Sequence, residues 1–173
     1  MATNQIFQKM KQLFCVIVVL IMCSQVNAQT LEETSDYLEY IIEENPPFEN
    51  MSSKFKLVNT AETDRFMYVL QRLENGKVMN TLTYLIFFSD IKSISLKQVK
   101  VDNKEKYVLT LNLGKDPDLK SYLIGFKGGL ETEYIDDVFI TLSDDEILAK
   151  KSKKAMIHLF KLMDIEVVDL DLF

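Results

Sequence analysis

Between Ser53 and Leu142 the apolar residues of this chain recur at every second position, and on both sides of that stretch they recur with the helical period. Successive side chains of a strand point to opposite faces, so this alternation commits the middle of the chain to half-buried β-strands. Phe55 to Val58 reads as a first strand, and Phe66, Tyr68 and Leu70 alternate with Met67, Val69 and Gln71 in a second. Asn75-Gly76 then accepts the two positive φ angles of a type I′ turn and predicts a hairpin. A third strand over about 78–88 sets Leu82, Tyr84, Ile86 and Phe88 on one face. A break at Ser89-Asp90-Ile91 leads to a fourth over about 92–101, and a turn at 102–105 leads to a fifth carrying Tyr107, Leu109, Leu111 and Leu113. After the Gly114 to Asp118 turn, Tyr122, Ile124 and Phe126 mark a sixth, which Gly128-Gly129 ends, and Val138, Ile140 and Leu142 mark a seventh.

The flanks are helical. Over 31–44, Leu31, Leu38, Ile41 and Ile42 share one face, Thr30 and Glu33 fit a capping box, and Pro46-Pro47 forbids continuation. After Leu142, Ser143 and Glu146 fit a second capping box with Asp144 and Asp145 in the first turn, and the helix runs to about Met163. On its wheel Leu148, Ser152, Ala155, Leu159, Leu162 and Met163 form a stripe fit to cover one end of the sheets. The tail, Asp164 to Phe173, alternates acidic and apolar residues and reads as an extra strand, a packed extension or a frayed end. The expectation is one α+β domain, mainly β. It is a seven-stranded antiparallel barrel or sandwich over 48–164, capped by a C-terminal helix and preceded by an amphipathic helix over 29–47, with 165–173 as tail.

Ahead of this domain, Lys9 and Lys11 precede an unbroken apolar run of 11 residues from Leu13 to Cys23, then a polar stretch ending Val26-Asn27-Ala28. Such a run is short for a membrane span, which needs about 20 residues. Residues 1–28 therefore read as a secretory signal peptide, cleaved before Gln29. Retention as an anchor is one alternative. Lipid attachment at Cys23 is another, which bulky Met22 disfavours. Export to the periplasm or the exterior follows. Both cysteines, Cys15 and Cys23, lie in the leader, so the mature chain offers neither a disulfide nor a thiol nucleophile. Setting the two leader lysines aside leaves 18 basic against 26 acidic residues, a formal charge of −8. That balance repels phosphate backbones and argues against a nucleic-acid partner.

The order of elements over 53–163 resembles the pleckstrin-homology-like superfold, two near-orthogonal sheets of four and three strands closed at one corner by a C-terminal helix. Three short strings are similar to small exported proteins of uncertain function from Bacteroidota-type bacteria. These are the leader followed by Thr30-Leu31-Glu32-Glu33-Thr34, the Phe88-Ser89-Asp90-Ile91 break, and Lys154-Ala155-Met156-Ile157-His158-Leu159. The fold resemblance implies a lipid-phosphate site in the first two strands and their loop. Lys54, Lys56 and Arg65 are present there, but Glu62 and Asp64 in the loop would repel such a headgroup, so no phosphoinositide is expected.

Chemistry-bearing patterns are sparse. One histidine, His158, excludes a multi-histidine zinc site, and no Gly-x-Ser-x-Gly elbow occurs. The acids Asp136, Asp137, Asp144, Asp145 and Glu146 match no calcium-loop spacing and read as caps and turn residues. Gly125, Gly128 and Gly129 form no phosphate loop. No catalytic, metal or cofactor residue is expected. What remains is Lys150-Lys151-Ser152-Lys153-Lys154-Ala155-Met156-Ile157-His158-Leu159-Phe160. Glu146 stands one favourable i,i+4 step before Lys150, and the lysines read as the wet face of the covering helix. Ile157 and Phe160 do not fit that account. If their face is buried, the N-terminal helix or the tail covers it; if exposed, Lys153, Lys154, Ile157, Phe160 and Lys161 form a partner surface. The expected function is a non-enzymatic binding module of the cell envelope. Its partner would be an envelope protein, peptide or polymer, with membrane contact only through a retained leader. The alternative is a carrier holding a small apolar ligand inside the barrel, and a hydrolase using scattered carboxylates is a third reading.

Overall fold

In the computed structural model of the chain, residues 29–60, 63–101, 103–114, 121–126 and 130–172 are described. The leader, the Gly128-Gly129 turn and the end of the Gly114 to Asp118 turn lie outside them. Helix α1 spans Leu31–Glu44, as its periodicity predicts. Asn45 closes it by donating from Nδ2 to the Ile41 carbonyl at 2.8 Å, and Pro46-Pro47 follows.

Strands β1 (Met51–Thr60), β2 (Thr63–Glu74) and β3 (Lys77–Phe87) form an antiparallel meander. Asn75 and Gly76 join β2 to β3 with φ of 51° and 73°, the left-handed pair that a type I′ hairpin requires. On the inner face the ladder aligns Phe55 with Tyr68 and Tyr84, and Leu57 with Phe66 and Ile86. A short 3-10 turn, Phe88–Asp90, then carries the chain into a second sheet. There β4 (Ser93–Val101), β5 (Lys104–Asn112) and β8 (Asp137–Ser143) pair antiparallel, aligning Ile94 with Leu111 and Val138, and Leu96 with Leu109 and Ile140. Between β5 and β8 the chain returns to the first sheet as the hairpin β6 (Tyr122–Phe126) and β7 (Leu130–Tyr134).

One polar cluster ties together the first two crossings between the sheets. Buried Asp90 accepts from the backbone and the hydroxyl of Ser121, each at 2.7 Å, and Ser121 Oγ in turn accepts from the Phe87 amide at 3.0 Å. The carboxylate thus ties the exit from β3 to the entry of β6. Each buried polar atom in the cluster has a partner, without which it would cost about 1–3 kcal/mol.

The architecture is α+β and mainly strand, as expected, but of the expected barrel or sandwich it is not the closed barrel. The two sheets have orders β1-β2-β3-β6-β7 and β8-β5-β4-β9 and do not close. Nine strands are present among the described residues, against an expected seven. The additions are β7 and a two-residue β9 (Val168–Asp169), which pairs parallel with Ser93 and Ile94 of β4. Helix α2 (Glu146–Leu162) packs on the same core. That core is filled by a run of aromatic rings: Phe55 on Phe66 at 5.1 Å, Phe66 on Phe88 at 5.7 Å, and Phe88 edge-on to Phe160 at 5.8 Å. Tyr68 also bridges the sheets. Burial pushes its hydroxyl well above the ordinary tyrosine range, and a hydrogen bond with the Thr141 backbone partly offsets that rise.

Candidate functional site

Helix α2 starts two residues later than its capping signal predicts. Ser143 is the last residue of β8 and pairs with Tyr107, so its backbone is committed to the sheet. Asp145 takes the cap instead, with Oδ1 accepting from Ile147 N at 2.7 Å and Leu148 N at 3.0 Å. Ser143 Oγ supports the turn by accepting from Asp145 N at 2.9 Å. Glu146 is free of capping duty and pairs with Lys150 at 2.6 Å, the expected i,i+4 partner.

The buried face of α2 is Ala149, Ser152, Lys153, Met156, Leu159 and Phe160. Only Ser152 and Leu159 belong to the predicted stripe. Leu148, Ala155 and Met163 are half-buried, and Leu162 is 41% exposed. The face is rotated because α2 is covered by more than the sheets. Helix α1 lies against it, with Tyr37 Oη 3.3 Å from Ser152 Oγ, and the C-terminal tail covers a further side.

The tail gets there by a sharp reversal. Asp164 adopts φ of 58°, Asp164 N donates to Lys161 O at 3.1 Å, and Ile165 N donates to Phe160 O at 2.8 Å. These are the two bonds of a Schellman stop, with aspartate at the left-handed position usually held by glycine. The chain then runs back along α2. Val168 N donates to Lys92 O at 3.2 Å, and Val168–Asp169 pairs with the edge of β4. Beyond it, Asp171 Oδ2 accepts from the Leu96 amide at 2.8 Å, and Asp169 Oδ1 accepts from the Asp171 amide at 3.0 Å. Lys153 reaches both acids, donating from Nζ to Asp169 Oδ1 and, at 2.6 Å, to Asp171 Oδ2.

The five residues singled out for a partner surface therefore part company. Lys153 is 7% exposed and Phe160 1%, the one held by the tail acids and the other packed in the aromatic run. With the tail in place they do not belong to an open contact face. Lys154 and Lys161 are exposed and Ile157 is half-buried. An open groove of about 570 Å³ separates Ile157 and Lys161 of α2 from Asp164, Ile165, Glu166 and Val168 of the tail. The residues that sequence reasoning missed are Asp169 and Asp171. Their signal was the two-residue spacing of acids in the alternating tail, although only Asp169 lies in the strand and Asp171 follows in a 3-10 turn, Leu170–Leu172.

The other candidates resolve locally. Asp137 accepts from Asn112 Nδ2 at 2.8 Å, and Asp136, Asp144 and Asp145 are exposed. Among the described residues, no group of three or more His, Cys, Asp or Glu could hold a metal ion, and no helix is long and apolar enough to cross a membrane. A smaller groove of about 230 Å³ lies where Pro46 and Phe48 approach Lys104, Lys106 and Thr141, with Lys106 Nζ donating to Pro46 O at 2.7 Å. Comparison with protein-family models, curated proteins and solved structures finds nothing that matches this chain.

Proposed function

We propose that the chain is an exported, non-enzymatic interaction module of the cell envelope, which engages a protein, peptide or polymer partner where helix α2 meets the C-terminal tail. The observation that carries this reading is the groove there. Its walls combine apolar Ile157, Ile165 and Val168 with charges of both signs from Lys161, Asp164 and Glu166. Such a mixed lining suits a polypeptide better than a purely apolar ligand. The interior between the sheets, by contrast, is occupied by Phe55, Phe66, Phe88 and Phe160. That packing counts against a carrier with its ligand in the barrel. The resemblance to pleckstrin-homology-like domains enters this reading at one level, two packed sheets followed by a C-terminal helix. It supplies no partner by itself.

A photo-crosslinking residue in place of Lys161, compared with one in place of Asp137, tests the proposal in the producing cells. A discrete crosslinked species from position 161 and none from 137 is the expected result. Equal or absent crosslinking at the two positions would remove the groove as the contact site.

A further inference from the structure

The tail uses only part of the site it occupies. It pairs with Ser93 and Ile94, although β4 extends to Val101. Its outward side chains Val168 and Leu170 remain 53% and 51% exposed, and the groove of about 570 Å³ stays open beside it. These apolar groups gain little from docking, since burial of surface is what drives it. Ile165 and Val167, nearer the reversal, are half-buried against the core, whereas from Val168 onward the attachment is polar: two carboxylates on the Lys153 amine, and the Leu96 amide on one of those carboxylates. Release of the tail would hand Lys153 and both acids to water. No charge would be left buried without a partner, so the penalty that usually locks an internal ion pair is absent.

We propose that the slot between the β4 edge and helix α2 is a receptor for an extended segment of a separate partner, and that the tail is its intramolecular occupant. The segment alternates apolar and acidic residues and carries two acids two positions apart. This deepens the interaction-module reading and rests on it. The partner strand pairs parallel to β4 as the tail does, which is strand addition to a sheet edge. Its two carboxylates take Lys153 and the Leu96 amide. It extends along residues 97–101 of β4, which are paired to β5 on one side and to no strand on the other among the described residues. The tail competes for the slot, so the closed fraction of the protein lowers the apparent affinity of the partner.

The test uses the full-length chain carrying Asp169→Asn and Asp171→Asn, which weakens the occupant and leaves the slot intact. The probe is a fluorescein-labelled peptide copying residues 165–173, Ile-Glu-Val-Val-Asp-Leu-Asp-Leu-Phe. The expected result is a saturable rise in anisotropy, with affinity at least about tenfold above that of the unmodified chain. Adding Lys153→Met should weaken it by about tenfold or more, as should replacing both peptide aspartates by asparagine. No saturable binding to the double variant, or binding indifferent to Lys153, overturns the proposal. A dimer of the unmodified chain that the peptide dissociates would put a second copy's tail in the slot, and would overturn its assignment to a separate partner. Crosslinking at position 161 without peptide binding would leave the interaction module standing and remove this partner chemistry.

Discussion

An amine at position 153 stands 7% exposed on a helix that turns Lys150, Lys151, Lys154 and Lys161 outward. Burying it is tolerable only because Asp169 and Asp171 meet it. Burial works against the charged form of Asp169. The hydrogen bond from Lys153, the amide of Asp171 and the Lys153 charge outweigh that and hold the carboxyl below its ordinary range. A lowered pKa in the folded state fixes the sign of the pH response. The contribution of this group to docking is complete above the unfolded carboxylate value of about 4, and it is lost as pH falls through the folded value. Acidification from neutral pH to below the ordinary carboxylate range is therefore expected to free the tail ahead of global unfolding. Hydrogen exchange checks this at the Val168 amide, which donates to Lys92. Protection at Val168 that survives as long as that of core Leu109 would show that the clamp does not dock the tail.

At the scale of elements, α2 is held by its start, its buried face and its stop. Replacing Asp145 by alanine strips two amides of their acceptor and should cost about 1 kcal/mol of stability, read from the urea midpoint. Ser143→Ala should cost less, because Ser143 supports the turn and not the first helical amides. This inverts the ranking that the sequence pattern Ser-x-x-Glu implies. Local signals placed α1 at both ends, because a Pro-Pro stop allows no other reading. They also placed the β2–β3 turn, because Asn-Gly has few other uses. Nonlocal covers were not legible in that way. A helical wheel counts Lys153 as wet, and what makes it dry lies 16 and 18 residues further on. Strand β7 was missed for a related reason. Leu130-Glu131-Thr132-Glu133-Tyr134 carries apolar residues only at its two ends, and its pairing with β6 is what makes it a strand.

Across the whole molecule, the two sheets and α2 share one core, and the aromatic run leads from the first sheet through the 3-10 turn to α2. Phe66 sits at its centre, between Phe55 and Phe88. Truncation to alanine should cost about 3–5 kcal/mol. Because the core cluster it belongs to draws on both sheets, Tyr68 and Ile86 from one and Ile94, Leu109 and Val138 from the other, unfolding should remain one transition, with near- and far-ultraviolet circular dichroism changing together in urea. Separate midpoints would mean that the sheets are held independently. The sandwich was legible as a class because alternation runs through the chain from Ser53 to Leu142. The division of strands between sheets was not, because it depends on where the chain crosses. Asp90 and Ser121 tie two of those crossings together from 31 residues apart, and the break at Ser89-Asp90-Ile91 does not by itself point to Ser121. Beyond Val167 the tail joins this assembly through two ladder positions, the Lys153 amine and the Leu96 amide, while the two sheets are held by long ladders and a ring-filled core. A mechanical load applied beyond Asp169 would therefore meet its weakest joint first. The last segment would peel back toward Asp164 like a fuse, lengthening the molecule by several residues before the sandwich bears any tension.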